Sequence, residues 1–398
     1  MSTGKEIVII GAGVIGCSIA FHLAKRGVAS HVVERESIAA RASGKSWAVF
    51  AYPPRFLGME GQPQESLFSM PEGSVSPWLE LFWLGYHRLP DLALELRETV
   101  GVDIGYGELS WVRMVFTAEQ EKAYKASLAL QKQQGYHEGC WMEAKDLQDL
   151  FPDINPQVRG GVSFPYLQVE PYRYTLGLAQ AAEKRGVTIG QGEVVGFRKR
   201  GAKVTAALLA TGAEISGDVF VLATGPWSAR TTSWLGKEVP ILINREQCVR
   251  MEVPSRLPPY GLTEPNGLTI VPKASGDVIL GHAGLADLQT GFDVNLTTEE
   301  TKMKLLHEAV ELLPGLTEAK LVEQRGDFEG WSPPPKRIQP VLGRLPEWEN
   351  VYLAARFGTL GMMMSLGTGC VMAELIIAGG RAPARFKHML EVLSPGAL

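Results

Sequence analysis

Cysteine is scarce, with 4 in 398 residues, and Cys17, Cys140, Cys248 and Cys370 show neither a metal-type nor a redox-type spacing. The 7 histidines are dispersed, so no metal site is expected. Charge of either sign is in short supply as well: 39 basic and 43 acidic residues leave a net charge of −4, and no basic footprint for nucleic acid emerges. There is no internal repeat and no low-complexity tract. Nor, apart from one apolar N-terminal run, is any stretch expected to be long and apolar enough to span a bilayer. The apolar N-terminal stretch from Ile7 to Ala24 is broken by glycines, lacks a basic leader and cleavage site, and is followed by a strand. These absences exclude a disulfide scaffold and a solenoid, and they point to reduced cysteines in a cytoplasmic setting.

What is present suits a globular protein. Hydrophobic residues make up 45% and charged residues 21% of the chain, and 398 residues exceed one ordinary core, so two domains are expected. The apolar run Ile7 to Ile10 leads straight into Gly11-Ala12-Gly13-Val14-Ile15-Gly16. A helical stretch follows from Val14 to Arg26, and a second apolar run, Ser30 to Val33, is closed by the acidic Glu34. In that order, glycines let a pyrophosphate lie against a helix N-terminus, and the acid accepts hydrogen bonds from a ribose. The pattern predicts an adenine dinucleotide site.

Further elements follow. Pro53 to Pro77 is rich in Pro, Gly, Ser and Gln and is expected to be a functional loop, either a substrate lid or a contact surface. Helices are expected over Trp78 to Val100, Pro171 to Arg185, Glu299 to Leu313 and Met362 to Ile377. Strands are expected at Val187 to Ile189, around Val194 and Val204, at Val219 to Ala223, Gln247 to Glu252, Leu268 to Val271, Val278 to Leu280 and Val351 to Ala354. The strand ending in Thr224-Gly225-Pro226-Trp227 brings a second glycine turn to the nucleotide. The expected fold class is α/β: a Rossmann-like dinucleotide-binding domain assembled from 1–55, 155–235 and 326–398. The second, α+β domain, built on a mostly antiparallel sheet, would be 56–154 and 236–325. A nicotinamide dehydrogenase ordinarily completes its nucleotide fold in one stretch. The scattered arrangement here favours a flavin.

The chain resembles, almost end to end, the D-amino acid oxidase superfamily of FAD-dependent oxidoreductases, which includes glycine oxidase, sarcosine oxidase and dimethylglycine dehydrogenase. The segments that carry the resemblance are the glycine triplet, Glu34-Arg35, Ala42-Ser43-Gly44-Lys45-Ser46, Glu170-Pro171, Ala223 to Ser228, Val271-Pro272-Lys273 before Gly276 and Gly281, Leu313 to Leu316, Pro340 to Gly343, and Gly358-Thr359-Leu360-Gly361. The resemblance implies FAD, and its implied contacts are Gly11, Gly13, Val14, Ile15, Gly16, Glu34 and Arg35. Ser43, Gly44, Lys45 and Ser46 would pass over the pyrophosphate and one flavin face, with Lys45 offsetting phosphate charge. Val194 would meet the adenine, and Thr224, Gly225, Trp227 and Gly343 complete the set. Gly358, Thr359, Leu360, Gly361 and Met362 would turn backbone N–H groups and a helix N-terminus toward the flavin. Outside that role, Met362 to Met364 reads equally as core packing, and Trp227 and Cys248 as buried core residues.

The departures from the family pattern bear on substrate. Amino acid oxidases of the superfamily often carry a Gly-Leu-Arg-Pro-like stretch whose arginine grips a carboxylate, and here it reads Gly330-Trp331-Ser332-Pro333. A serine hydroxyl does not replace a guanidinium fork. Arg245, Arg250 and Arg356 are alternative carboxylate partners, and Trp331, Ser332, His282 and Phe357 are further candidates for the substrate pocket. Gly330 stands where sarcosine oxidases tether flavin through a cysteine, so FAD is expected to be non-covalent. The expected reaction is oxidation of a C–N bond in a small amine or amino acid derivative by hydride transfer to flavin N5. The alternatives are a hydroxy-acid or glycerol-phosphate type flavin dehydrogenase, a flavin-carrying subunit dependent on a partner protein, and, more remotely, a nicotinamide enzyme.

Overall fold

The architecture comes from a computed structural model, which describes residues 5–52, 79–133, 135–283, 287–334 and 339–398. The expected loop from Pro53 to Pro77 lies outside the described residues.

Near-continuous apolar runs such as Ile7–Ile10 and Val219–Leu222 are those of parallel strands covered on both faces, and all eight of these residues are buried. They form the centre of a six-stranded sheet in the order Val341–Arg344, Val351–Ala355, Val219–Leu222, Ile7–Ile10, His31–Glu34, Thr188–Gln191. The pairings are parallel except at the Val341–Arg344 edge. A three-stranded antiparallel meander, Val194–Arg200, Lys203–Leu209 and Glu214–Ser216, accompanies it.

The second layer system is a large, mostly antiparallel sheet. Its main path runs Leu288–Gln289, Leu242–Glu252, Val278–His282, Leu268–Pro272, Tyr260–Thr263, Gly107–Val115, Gly160–Gln168, Val49–Ala51. Lys320–Trp331 pairs along the whole of Leu242–Glu252, and Cys140–Glu143 pairs with Gly160–Gln168. The boundaries expected from sequence cut across this sheet. Val49–Ala51 and Gly160–Gln168, expected with the dinucleotide domain, pair in the large sheet. So does Lys320–Trp331, which straddles the expected break at 325.

The expected helices form at Val14–Ala24, Leu79–Val100, Pro171–Glu183, Glu299–Leu312 and Gly361–Ile377. One expectation needs correction. Gly358–Ile377 spans 20 residues at mean hydropathy 1.7, long and apolar enough in composition to cross a membrane. In the fold, 78% of its most apolar window is buried, because the helix is the central core element, packed against Val14–Ala24 and Leu79–Val100. The approach is close. A Cβ at Gly369 would stand 2.2 Å from Ser18 Oγ, and one at Gly367 would stand 2.3 Å from the Leu81 carbonyl oxygen.

Candidate active site

The site grows from the turn between the first strand and first helix. Gly11 has φ +105°, and a Cβ there would lie 2.5 Å from the Ala223 carbonyl oxygen. A Cβ at Gly16 would lie 1.9 Å from the Gly11 carbonyl oxygen, so both positions require glycine for strand, turn and helix to close up. The helix begins at Val14 with no side-chain cap, which leaves first-turn N–H groups and the positive end of the helix dipole for an anion. Val14 N–H donates to Ser43 Oγ at 2.9 Å, tying the 42–45 segment across this opening. Glu34 is held at the tip of the second strand, its carboxylate accepting from Ala12 N–H at 2.8 Å and from Glu36 N–H at 2.9 Å. Its remaining acceptor capacity is available to a ribose.

A cavity opens here. It is lined by Gly11, Gly13, Val14, Ile15, Glu34, Arg35, Ser43, Val194, Thr224, Gly225 and Trp227, as expected from sequence, and also by Arg41, Arg230 and Phe328. Trp227 is not sealed in the core: the Arg35 guanidinium lies 4.1 Å from its ring centroid and Phe292 stacks on it at 4.6 Å. Gly16 and Gly44 do not line the cavity. They permit its shape, since a Cβ at Gly44 would lie 2.2 Å from the Ala39 carbonyl oxygen.

A second chamber lies beside it, and Ala42 lines both. One wall is the segment Lys45 to Val49, and another is Thr359, Leu360, Met362 and Met363 at the start of the last long helix. That helix is capped by Leu360 with no side-chain hydrogen bond, so its positive end faces the chamber. The large sheet supplies Trp111, Arg113, Tyr166, Thr263 and His282, and the paired strands Leu242–Glu252 and Lys320–Trp331 supply Glu246, Cys248, Arg325, Asp327 and Glu329. The Trp111 indole N–H donates to Thr263 Oγ1 at 2.9 Å, and Tyr166 stacks on Trp111 at 4.6 Å. Burial, with Lys304 adding to it, lowers the His282 pKa to about 4, so the imidazole is neutral at physiological pH. Burial raises both Glu246 and Glu329 well above the carboxylate range; Glu329 and Asp287 add to the rise of Glu246, and Asp327 to that of Glu329.

Several expected site residues take other roles. Lys45 Nζ pairs with the buried Asp327 at 2.8 Å and also reaches the Gly326 carbonyl oxygen. It lines the second chamber, so its charge is committed to Asp327 and not to a phosphate. Arg250 is bound to Asp277 at 2.6 Å and to Glu170 at 3.4 Å. Arg245 is bound to Asp287 at 2.7 Å, and neither arginine lines either of these two chambers. Trp331, 1% exposed, turns its indole N–H to Glu329 at 3.0 Å from behind the chamber wall. Phe357 lines the first cavity instead of the substrate chamber. Ser332 is sealed in a turn, where its hydroxyl accepts from Gln339 N–H at 2.8 Å and from Arg356 Nε at 3.1 Å. Gly343, Gly358 and Gly361 line neither cavity: Gly343 packs against Pro395, Gly358 takes φ +53° to turn the chain, and Gly361 opens the helix.

Sequence reasoning missed Arg113, Glu246, Glu329, Arg325 and Trp47. Arg113 was findable. The alternation of Leu109, Trp111 and Arg113 sets a buried charge on the same strand face as two core residues, and such a charge has a functional or pairing reason.

The two neighbouring cavities, the uncapped helix start and the poised Glu34 fit a dinucleotide carrying a planar ring system at its far end. Comparison with known proteins agrees. The profile of the FAD-dependent oxidoreductase (DAO) family matches residues 6–375. The chain is 27% identical to glycine oxidase from Geobacillus kaustophilus (strain HTA426) over 381 residues, 94% of each protein. It is 24% identical to hydrogen cyanide synthase subunit HcnC of Pseudomonas aeruginosa, covering 94% of this chain and 93% of that one. Glycine oxidase from Bacillus cereus ATCC 14579 superposes with a TM-score of 0.83 at 24% identity over 99% of both chains. Iminodiacetate oxidase from Chelativorans sp. BNC1 superposes with a TM-score of 0.80 at 20% identity over 98% of both chains. With its nucleotide cradle and full-length match, the chain belongs to the DAO family of FAD-dependent oxidoreductases.

Proposed function

We propose that the protein oxidises a C–N bond of a small amine or amino acid derivative, passing a hydride from the substrate's α-carbon to N5 of non-covalently held FAD. The observation that carries this reading is a chamber beside the nucleotide cavity, sharing Ala42 with it, that is lined by both an arginine and a neutral imidazole. The similarity to glycine oxidase and the fold shared with iminodiacetate oxidase support it.

Bound FAD would supply a two-electron acceptor; the remaining work belongs to the chain. The cradle from Gly11 to Val14 and Glu34 would hold the ADP half, and Lys45 to Val49 with Thr359 to Met363 would hold the ring. The uncapped start of the last long helix would favour negative charge on the nearby ring. Arg113, 6% exposed at the chamber wall, would take a substrate carboxylate in place of the arginine that Ser332 displaces. Neutral His282 would accept or donate one hydrogen bond to the substrate without adding charge. Trp47, Trp111 and Tyr166 would exclude water, and an amine bound in its deprotonated form needs no further base. Cys248, on the chamber wall, has its Sγ set between the Lys45 carbonyl oxygen at 3.7 Å and Arg325 Nε at 3.4 Å, an arrangement that suits packing and not a tether.

Free thiols at all four cysteines suit the cytoplasm. A second reading, a flavin-carrying subunit that relies on a partner, draws on the similarity to the HcnC subunit. An anaerobic visible spectrum, followed while N-methylated amino acids, D- and L-amino acids, amines and hydroxy acids are added, separates these readings. Bleaching by amines or amino acids supports the proposal, bleaching by hydroxy acids alone replaces it with a dehydrogenase, and a yellow protein that nothing reduces favours the subunit.

A further inference from the structure

Four consecutive carbonyl oxygens of the chamber-wall segment from Lys45 to Ala48 are each held by a different partner. Cys248 Sγ reaches that of Lys45 at 3.7 Å, and Arg325 Nη2 donates to that of Ser46 at 3.3 Å. Lys273 Nζ donates to that of Trp47 at 2.9 Å, and the Val169 N–H to that of Ala48 at 3.0 Å. Every partner sits on the large sheet or directly follows one of its strands, so the wall is stapled to that sheet one residue after another. Within the segment Ala48 takes φ +53°, a left-handed conformation that a non-glycine residue keeps only where its surroundings impose it. Lys273 is the costly partner. It is 2% exposed, and its Nζ, which also donates to the Val169 carbonyl oxygen at 2.8 Å, pairs with no carboxylate among the described residues. The carboxylate next along the chain, Glu170, is bound to Arg250.

Burying an ammonium without a counter-ion is expensive, and a methionine would fill the same space. What a methionine lacks is the pair of hydrogen bonds. We propose that Lys273 is a positioning residue that fixes the Trp47 indole through its main chain, and that Trp47, so fixed, sets the largest substituent the chamber admits beside the flavin. This rests on the C–N oxidation proposed above. Trp47 is held at both ends, by Lys273 at the carbonyl and by Gly281 under the ring. Two other aromatic residues of the wall are fixed as well, since Trp111 donates to Thr263 and stacks on Tyr166. A wall of locked side chains rejects an oversized group because overpacking strains it, whereas a loose wall gives way.

The test compares the FAD-loaded wild type with Lys273→Met and Ile270→Ala. Ile270 lies on the strand before Lys273 but packs in a core cluster that does not include Trp47, so Ile270→Ala loosens the sheet and leaves the staple alone. Two readouts are taken: the visible circular dichroism of bound flavin, and its anaerobic reduction in a stopped-flow instrument by glycine, alanine, norleucine and phenylalanine, the chiral ones as both enantiomers. Lys273→Met should change the dichroism, leave FAD affinity unchanged, and raise reduction by the larger amino acids relative to the smaller about tenfold, the scale on which a pocket discriminates by size. Ile270→Ala should melt earlier and keep the wild-type dichroism and ratio. Trp47→Leu, which shortens the wall directly, should shift the ratio in the same direction as Lys273→Met. If Lys273→Met fails to fold, Lys273→Gln takes its place, its shorter chain retaining N–H donors but falling short of both carbonyls. A folded Lys273 variant that keeps the wild-type ratio overturns the proposal. So does a Trp47→Leu variant that keeps it, or an Ile270→Ala variant that shifts both readouts as far as the Lys273 variant does. C–N oxidation stands in each of those cases. If no amine or amino acid reduces the flavin, the underlying reading falls and the size limit with it, and the dichroism alone then decides whether Lys273 positions Trp47.

Discussion

The indole of Trp47 lies over Gly281, filling the space where any side chain would begin: a Cβ at residue 281 would stand 2.2 Å from the indole Cζ2. The main chain of Trp47 is fixed as well, because Lys273 Nζ donates to its carbonyl oxygen at 2.9 Å and to that of Val169 at 2.8 Å. A glycine and a buried lysine thus set the chamber wall from two sides. Gly281→Ala should push the indole into the chamber and cost about 1–3 kcal/mol, as other small-to-large changes in packed sites do. Thermal melting should report the loss, and the visible circular dichroism of bound flavin should change with it. An unchanged flavin band would show that Trp47 does not touch the ring.

Glu34 makes two hydrogen bonds to backbone N–H groups before any nucleotide arrives. Glu34→Ala removes those and the ribose acceptor together. FAD affinity should fall about tenfold to a hundredfold, since a hydrogen bond to a charged group contributes roughly 1.5–3 kcal/mol. Titrating the apoprotein with FAD and following flavin fluorescence measures it.

Lys273 is 2% exposed, and burial lowers its pKa from 10.5 to about 8. Between those values the unfolded chain binds more protons than the native one at this residue, so stability rises with pH across that window. The full effect is about 3 kcal/mol, from roughly 1.4 kcal/mol per unit. The difference between wild type and Lys273→Met, by denaturant melts from pH 7.5 to 10.5, should show that slope. A flat difference would mean that the ammonium is better solvated than its burial implies.

Arg113→Met should leave FAD binding intact and lower kcat/KM about a hundredfold for substrates bearing a carboxylate, the worth of one charge-assisted bidentate contact of about 3 kcal/mol. Simple amines should be spared. An equal loss for both classes would move the carboxylate contact elsewhere, with Arg356 the next residue to test.

The nucleotide half of the site was legible in the sequence because it is local. Gly11, Gly13, Glu34 and Ser43 sit within 33 consecutive residues; turn chemistry points to Gly11, Gly13 and Glu34, and the family resemblance to Ser43. The substrate chamber was not legible, because it is built by pairing at a distance. Glu246 meets Asp327 across a ladder that joins segments about 80 residues apart, and no local pattern predicts that register. Arg250 and Arg245 were reasonable candidates by residue type, but Asp277 and Asp287 claim them, and an ion pair between strands leaves no trace in linear spacing. Ser332 was correctly singled out as a departure. Its actual use, holding Arg356 and Gln339 in a turn, depends on contacts that only the folded chain reveals.

The strand Lys320–Trp331 presents Phe328 to the nucleotide cavity and Asp327 and Glu329 to the substrate chamber. Its neighbours alternate because side chains on a strand alternate. A single-residue deletion between Gln324 and Phe328 would reverse that assignment at a stroke, turning a carboxylate toward the nucleotide cavity and a phenyl ring toward the second chamber. The length of this strand is therefore constrained as well as its composition, and insertions should be confined to the connection that precedes Lys320.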